Sequence, residues 1–455
     1  MLHNKIISNI FKKKNNLNSK DDMAEQLIDE HMNICNEDEE TEYVLQELER
    51  KREKDTAYLQ ESDISKNYID NAPAVKFANI VFSEALQKKA SDIHFEPFEL
   101  VVLIRFRVDG TMQEYRRISK ASYHSICTRI KIMANMNIAE KRIPQDGKSI
   151  FQNSNKSYDF RVSALPTIYG EKLVIRILYK SELTGSQGDL DTIIDGDKNL
   201  NVLLNNTSGM VLITGPTGSG KSTTLYSMLK RLNNSEKNII TIEDPIEYEM
   251  FGINQVSLNL RAGLTFGSGL RCILRQDPDV IMIGEIRDEE TAQIAVRAAI
   301  TGHLVFSTLH TRDAPSSVNR LADMGVKNYL VGDALIAVIA QRLVRVICPH
   351  CKKGYKASVQ QRNKLNLRVE TLFKGNGCEK CSFTGYMGRR IVYEMMYLTP
   401  EHRRIIERKG SIEELRQCSI NNGMVILKDY CAKLVKEGVT TYDEFSKISY
   451  IDQQV

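Results

Sequence analysis

The feature that most constrains this fold is a glycine-rich segment, GPTGSGKS, at residues 215–222. It matches the G-x-x-x-x-G-K-[ST] pattern of a phosphate-binding loop, and it lies between an apolar run and a helix-like segment. The glycines allow successive backbone N–H groups to face phosphate oxygens at a helix N-terminus. We expect Lys221 to neutralise β- and γ-phosphate charge and the Ser222 hydroxyl to bind Mg²⁺. The residues predicted to contact nucleotide are Gly215, Thr217, Gly218, Ser219, Gly220, Lys221, Ser222 and Thr223.

Four short apolar runs surround this segment in sequence, at residues 211–213, 239–242, 280–283 and 304–307, and they alternate with helical segments. Such runs between helices indicate a parallel sheet that is covered on both faces, and therefore an α/β domain. Open sheets of this kind bind ligands at the carboxyl ends of their strands. The polar motifs begin where the runs stop, so we expect them to meet at one edge of the sheet.

Acidic residues follow two of these runs. Glu285, after the third run, is the predicted water-activating residue, and Glu243, after the second, is the second candidate. A solvated charge at a strand end would give the same pattern. The fourth run is flanked by His303 and His310, where a histidine could sense the γ-phosphate; an ordinary hydrogen-bonded histidine is the alternative.

Two C-x₂-C pairs stand among the nine cysteines, Cys348 with Cys351 and Cys378 with Cys381, and 26 residues separate the pairs. Each pair places two thiolates on a tight knuckle, and four together form a closed tetrahedral shell, which predicts structural Zn²⁺. Four unrelated thiols or a redox dithiol are the alternatives. The other cysteines lack such spacing and are predicted to be ordinary thiols: Cys35, Cys127, Cys272, Cys418 and Cys431.

Composition divides the 455 residues into several segments, too many for one compact domain. Residues 1–71 form a charged arm, either a long helix or a partly disordered segment. Residues 72–180 mix helical and strand patterns and predict a smaller α+β domain. A polar linker rich in Gly, Ser and Asp spans 181–201 and is the predicted hinge. The domain that carries the phosphate-binding loop, predicted to be a P-loop ATPase domain, spans 202–455 and includes the predicted zinc module at about 346–384.

Charge and hydropathy exclude some classes of protein. The formal net charge of +4 is too small to argue for nucleic acid, and no dense basic patch interleaved with aromatic residues is visible. No stretch approaches the ~18 uninterrupted apolar residues of a spanning helix. The N-terminus also lacks the order of a signal peptide. We therefore expect a cytoplasmic protein that makes no direct contact with nucleic acid.

Taken together, the motifs resemble the secretion-ATPase superfamily that drives type II secretion and type IV pilus assembly. GPTGSGKST resembles its Walker A box, TIEDPIEY its Asp box, RQDPDVIMIGEIRD its Walker B box and TGHLVFSTLHT its His box. Upstream, ASDIHFEP at 90–97 and RFRVDG at 105–110 resemble the family's preceding domain. The resemblance implies a RecA-like P-loop ATPase domain after a smaller α+β (PAS-like) domain. Ile391 stands where the family usually has glycine, which puts the local turn in doubt.

The resemblance also implies how the sites are shared. Arginines matching Arg161, Arg176, Arg271 and Arg275 point toward nucleotide at subunit boundaries in the family, and surface salt bridges are the alternative. It therefore implies a homo-hexamer with composite sites that uses ATP, Mg²⁺ and Zn²⁺. The implied partners are a polytopic inner-membrane platform protein and associated assembly proteins, with the motor peripheral at the cytoplasmic face of the inner membrane.

The cysteine pairs separate functions within the family, because retraction ATPases generally lack the zinc module and assembly ATPases typically carry it. The leading hypothesis is a motor that couples ATP hydrolysis to assembly of a type IV pilus or a type II secretion pseudopilus. The alternatives are a DNA-uptake pilus motor and a non-hydrolysing nucleotide-binding scaffold of the same membrane complex.

Overall fold

The computed structural model describes residues 73–154, 156–179, 198–366 and 369–452. The arm predicted at 1–71 lies outside these residues, as does most of the linker predicted at 181–201. The last four linker residues fall within a helix, Lys198–Leu204. The chain divides into two compact units, Met1–Leu178 and Tyr179–Val455, which are described separately.

Within its described residues, the first unit is an antiparallel sheet with two helices, which confirms the α+β prediction. Its six strands lie in the order β3-β2-β1-β6-β5-β4. In chain order the elements are α1 Pro73–Gln87, β1 Asp92–Pro97, β2 Val101–Val108, β3 Thr111–Ser119, α2 Lys120–Met133, β4 Gln145–Asn153, β5 Lys156–Thr167 and β6 Gly170–Leu178.

Alternation along the strands gives this sheet two different faces, because successive side chains point to opposite sides. One face is apolar and buried; there Phe82 of α1 packs edge-on against Phe151 and Phe160. Beneath α2, the ammonium of Lys131 lies 2.6 Å from a carboxylate oxygen of Glu171, and both side chains are buried. The opposite face carries the charged residues of β1, β2 and β6.

The second unit contains a seven-stranded sheet in the order β15-β12-β7-β11-β10-β8-β9. All neighbouring strands are parallel except the pair β12 and β15. The four predicted runs are β7, β11, β10 and β8, which confirms the parallel sheet. The strands are β7 Gly209–Thr214, β8 Ile239–Glu243, β9 Asn254–Ser257, β10 Val280–Ile283, β11 Leu304–Leu309, β12 Leu335–Ile347 and β15 Tyr386–Tyr397.

Helices cover both faces of the parallel sheet. One buried cluster joins β7 and β10 to the helix after the phosphate loop, and another lies on the opposite face. The helices are α3 Lys198–Leu204, α4 Lys221–Leu232, α5 Phe266–Ile273, α6 Glu289–Ile300, α7 Ser316–Asp323, α8 Asn328–Ala334, α10 Pro400–Glu407, α11 Ile412–Asn421, α12 Leu427–Lys436 and α13 Tyr442–Asp452. No helix in the described ranges is long and apolar enough to cross a membrane.

The cysteine-rich module is an insertion between β12 and β15. It consists of a hairpin, β13 Lys352–Lys356 and β14 Thr371–Gly375, with helix α9 Val359–Leu365 between its strands. The doubt about a local turn at Ile391 is borne out: this residue lies inside β15 and pairs opposite Leu343, so the backbone is an extended strand at this position.

Candidate active site

The phosphate-binding loop leaves the sheet where β7 ends at Thr214 and meets α4 at Lys221. Its three glycines, Gly215, Gly218 and Gly220, have φ angles of +148°, +76° and +87°, which side chains rarely adopt. A Cβ on Gly215 would also lie 2.5 Å from the backbone oxygen of Gln341. The glycines are therefore required by both the curl of the loop and its close packing.

Lys221 is half-buried at the first turn of α4, and its ammonium donates to the carbonyl oxygens of Gly215 and Pro216, each at 3.0 Å. Burial lowers the pKa of this ammonium, while the nearby charge of Glu285 acts in the opposite direction. Of the other predicted loop contacts, Ser219 is buried, Thr217 is exposed, and Ser222 and Thr223 are half-buried.

Glu285 lies at the same edge of the sheet, two residues after the end of β10. Its side chain is 17% exposed; one carboxylate oxygen is 2.5 Å from the Arg287 guanidinium and the other is 3.7 Å from Nε2 of His310. Burial, followed by the charge of Lys221, lowers the pKa of His310, so the ring is neutral at pH 7. The structure thus brings Lys221, Glu285 and His310 together.

Glu243 has a different environment, because its carboxylate is buried and already bonded within the protein. Tyr226 of α4 donates a short hydrogen bond to one oxygen, while Thr241 and Gln255 donate to the other at 2.6 and 3.2 Å. These contacts join α4 to β8 and β9. The geometry therefore favours Glu285 over Glu243 as the carboxylate that faces nucleotide.

His303 does not lie beside this edge, so the prediction that both histidines flank the nucleotide is wrong for this residue. It precedes β11, its backbone oxygen accepts from the first residue of β7, Gly209, at 3.0 Å, and its Nδ1 is 3.0 Å from the oxygen of Ala298. His303 precedes β11 and His310 follows it, so the two residues occupy opposite ends of the strand, roughly 20 Å apart. Because β11 is parallel to β7, only His310 lies at the edge where the phosphate loop leaves the sheet.

The four predicted arginines lie in two places. Arg161 and Arg176 occupy directly opposed positions on β5 and β6 of the first unit, and Nε of Arg176 donates to Asp92 at 3.0 Å. In the second unit, Arg271 forms an ion pair with Glu290, and Arg275 donates to the Arg271 backbone oxygen at 2.9 Å. Their role at a subunit boundary stays a prediction.

Two residues of β12 contact the site and were not predicted. Gln341 lies against the phosphate loop, and the Arg342 guanidinium donates to the backbone oxygen of Arg312 at 2.7 Å, just after His310. The available signal was the interruption of the apolar run at 334–347 by polar side chains. The end of β7 is also joined to the segment after His310, by a hydrogen bond of 2.6 Å between the hydroxyls of Thr214 and Thr311.

The four paired cysteines form one cluster, with all sulfur atoms within 4.8 Å of one another. Cys348 and Cys378 are 3.9 Å apart, as are Cys351 and Cys381. Zinc–sulfur bonds of about 2.3 Å place tetrahedral sulfurs about 3.8 Å apart, so the cluster fits Zn²⁺. Burial raises the pKa of Cys381, but backbone N–H groups of Cys378 and Gly385 lower it, and the net value is about 6.

The remaining described cysteines, Cys127, Cys272, Cys418 and Cys431, are free thiols outside this cluster. Cys35 lies outside the described residues. Burial raises the pKa of Cys127 to about 11 and that of Cys431 to about 12, so neither is a thiolate at neutral pH.

A family model described as type II/IV secretion system protein matches residues 67–447 of the chain. Among curated relatives, type II secretion system protein E of Dickeya dadantii is 44% identical over 392 residues, which covers 86% of this chain and 78% of that protein. Type IV pilus assembly ATPase PilB of Thermus thermophilus is 44% identical over 381 residues, covering 83% of this chain and 43% of that protein.

Solved structures show the same fold. The pilus retraction motor PilT with bound ADP has a TM-score of 0.56 and 25% identity, and the match covers 83% of this chain and 98% of that one. The ATPase DotB of Legionella pneumophila has a TM-score of 0.60 at 20% identity, covering 86% and 98% of the two chains, so it supports the fold alone.

Proposed function

Because this chain belongs to the family of type II/IV secretion system proteins, we propose that its ATP hydrolysis drives assembly of a type IV pilus or a type II secretion pseudopilus at the inner membrane. The chain is a P-loop ATPase with a RecA-like motor domain. The proposal concerns the process to which this hydrolysis is coupled and the number of subunits in the assembled ATPase.

The observation that carries the hydrolytic part is the meeting of Lys221, Glu285 and His310 at one edge of the parallel sheet. Lys221 stabilises charge on the transferring phosphoryl group, and Glu285 orients the attacking water. Neutral His310, 3.7 Å from Glu285, adds no further positive charge to those of Arg287 and Lys221 near this carboxylate. Ser222, at the start of α4, is the residue whose hydroxyl would hold Mg²⁺, and the ion would supply positive charge that stabilises phosphoryl transfer.

The cysteine cluster favours assembly over retraction. Assembly and secretion members of the family typically carry a tetracysteine module and retraction members generally lack it. Here the four sulfurs have the spacing of a closed ZnS₄ shell, which supplies structure and no open position for chemistry. The relatives that are 44% identical to this chain include both a type II secretion protein and a type IV pilus assembly ATPase.

We further infer a homo-hexamer at the cytoplasmic face of the inner membrane, attached through a polytopic platform protein. Arg161 and Arg176 project from the middle of adjacent strands, and an arginine supplied from a neighbouring subunit can stabilise the charge that develops in phosphoryl transfer. The predicted hinge at 181–201 would then let the two units of one subunit move as nucleotide is consumed.

The test is to replace the chromosomal gene with a Glu285→Gln variant and to score surface fibres, secreted proteins and DNA uptake. We expect loss of fibres or of secretion, with protein level unchanged. Loss of DNA uptake alone would identify an uptake pilus motor. Retention of all three outputs in a variant that no longer hydrolyses ATP would support the scaffold alternative and contradict the proposal.

The zinc assignment has a separate test. The purified chain should contain about one zinc per subunit by elemental analysis, and a Cys351→Ser, Cys378→Ser double variant should contain almost none. The matched control is Cys272→Ser, which changes an exposed cysteine outside the cluster; this variant should contain as much zinc as the unaltered protein. Equal zinc contents in all three proteins would contradict the ZnS₄ site.

A further inference from the structure

Gln341 occupies the position on β12 where the phosphate loop leaves the sheet. The pairing of β12 with β7 ends at Ala340, which lies opposite Thr214, the last residue of β7. Beyond this point β12 continues to Ile347, paired with β15. The overhanging part of β12 therefore forms a wall beside the loop, and Gln341, only 1% exposed, is its first residue.

The side-chain amide of Gln341 makes two hydrogen bonds, one to each side of the loop's last turn. Its Nε2 donates to the backbone oxygen of Ser219 at 2.7 Å, and its Oε1 accepts from the Thr224 hydroxyl at 2.9 Å. Its backbone oxygen accepts from Arg342 at 3.0 Å and closes the space beside Gly215. One residue thus contacts the start of the loop, its last turn and the first turn of α4.

The bond to Ser219 fixes the direction of a peptide group. In a trans peptide the C=O and the following N–H point in opposite directions. When Gln341 holds the oxygen of Ser219 toward β12, the N–H of Gly220 points away from β12. A phosphate-binding loop works by presenting such N–H groups, and a carbonyl turned the other way would repel phosphate oxygens.

We propose that Gln341 is a positioning residue of the nucleotide site, which holds the phosphate loop in its binding conformation by fixing the Ser219–Gly220 peptide against α4. It acts through the loop and contacts no reacting atom. The inference rests on the ATPase activity of the chain and is independent of whether that activity serves a pilus or a secretion system.

The expected effect is on nucleotide affinity more than on turnover, because the loop contacts phosphates in the ground state and the transition state alike. In Gln341→Leu, the Ser219 oxygen loses its side-chain donor and the Thr224 hydroxyl keeps only the backbone oxygen of Gly220, at 3.3 Å, without a large change in volume. We expect about a tenfold rise in KM for ATP and in Kd for a fluorescent ADP analogue, with kcat reduced less than about threefold.

Thr224 provides variants that test the same bond from the other side. Thr224→Val removes the hydroxyl at nearly constant shape and should raise KM severalfold, while Thr224→Ser should restore the wild-type value. The double variant Gln341→Leu, Thr224→Val should be less impaired than the product of the two single effects, because both single changes remove the same hydrogen bond between Thr224 and Gln341. If Gln341→Leu fails to fold, the Thr224 pair decides the test.

The matched control is Ser227→Ala, which removes a buried hydroxyl from the same helix at a position with no hydrogen-bond partner in the described chain. It should leave KM, Kd and the thermal midpoint unchanged. The proposal is overturned by unchanged KM and Kd in Gln341→Leu, by a loss confined to kcat, or by an equal loss of affinity in Ser227→Ala.

Discussion

The two sheets of this protein place their functional side chains differently. In the second unit, β7, β8, β10 and β11 are buried along their whole length, and the polar residues of the site follow their ends. In the first unit the strands alternate between buried and partly exposed residues, so Arg161 and Arg176 sit in the middle of β5 and β6.

The difference follows from what covers each sheet. A parallel sheet with helices on both faces leaves only its edge for ligands, so its chemistry is concentrated in loops. An antiparallel sheet whose strands alternate between a buried face and a partly exposed face can present charges along the exposed face, and those charges must be balanced locally or by a partner. Substitutions in the two sheets should therefore separate loss of chemistry from loss of contacts.

The largest effect is expected at the edge of the parallel sheet. Glu285→Gln should lower kcat for ATP hydrolysis by about 10³-fold or more with an unchanged thermal midpoint, because it removes a charge from a partly exposed group. Glu243→Gln should instead lower the midpoint by several degrees, since the amide NH₂ would replace one carboxylate oxygen and face either the Tyr226 donor or the Thr241 and Gln255 donors. Steady-state kinetics and calorimetry measure both, and the reverse pattern would assign the chemistry to Glu243.

The second-largest effect is expected from a substitution in the first unit and is an effect on folding stability alone. Lys131→Met leaves the buried Glu171 carboxylate without its charge partner and should cost the first unit about 3 kcal/mol of unfolding free energy. Adding Glu171→Gln should recover much of this loss, because no uncompensated charge remains. Denaturant unfolding of the single and double variants tests the pair; a double variant as unstable as the single would show that charge is not the cause.

A smaller effect is expected from substitutions on the partly exposed, charged face of the first unit, which carries Arg107 and Arg176. Arg176→Gln should reduce hydrolysis about tenfold or more in the assembled protein if its guanidinium serves a neighbouring nucleotide. Arg107→Gln is the matched control, because Arg107 shares the Asp92 partner, its Nε lying 3.5 Å away. Equal losses in the two variants would reduce both residues to surface ion pairs of Asp92.

The smallest effect concerns pH. Burial and then the charge of Lys221 lower the pKa of His310 from its ordinary 6.5, so the ring is neutral at pH 7 and protonates only in more acidic solution. Activity should therefore be flat between about pH 7 and 8 and decline on the acid side, and His310→Gln should weaken that decline about two- to threefold. A pH–rate profile of the variant with an unaltered acid limb would exclude His310.

Much of the second unit could be predicted from sequence, because buried parallel strands are continuous apolar runs and the loop motif has a fixed spacing. Glu285 and His310 followed from the rule that such strands end at one edge. His303 does not follow from this rule, since it precedes β11 and therefore lies at the amino end of the strand, away from the edge that binds ligands. Gln341 was also missed: its bonds are to a backbone oxygen and a hydroxyl more than a hundred residues away, and such bonds leave no periodic pattern.

The first unit was harder to predict in detail. Strand patterns in the sequence indicate two of its six strands, β2 and β6. Lys131 and Glu171, however, are 40 residues apart in the sequence, where they look like two ordinary surface charges. The clustering of the four paired cysteines was predictable from spacing, because two C-x₂-C pairs are the arrangement that a tetrahedral metal ion requires.

The wall beside the phosphate loop also has a consequence in time. Gln341 is 122 residues downstream of Ser219, so a ribosome that adds about 5–20 residues per second makes the loop some 6–24 s before the residue that holds it. During that interval the growing chain contains the phosphate loop but not Gln341, which holds the Ser219 oxygen. The part of β12 beyond Ala340 stays unpaired still longer, until β15 has been synthesised. Stalled nascent chains that end before Gln341 should therefore bind a fluorescent ADP analogue more weakly than chains that extend past Tyr397, and equal binding would show that the loop takes shape unaided.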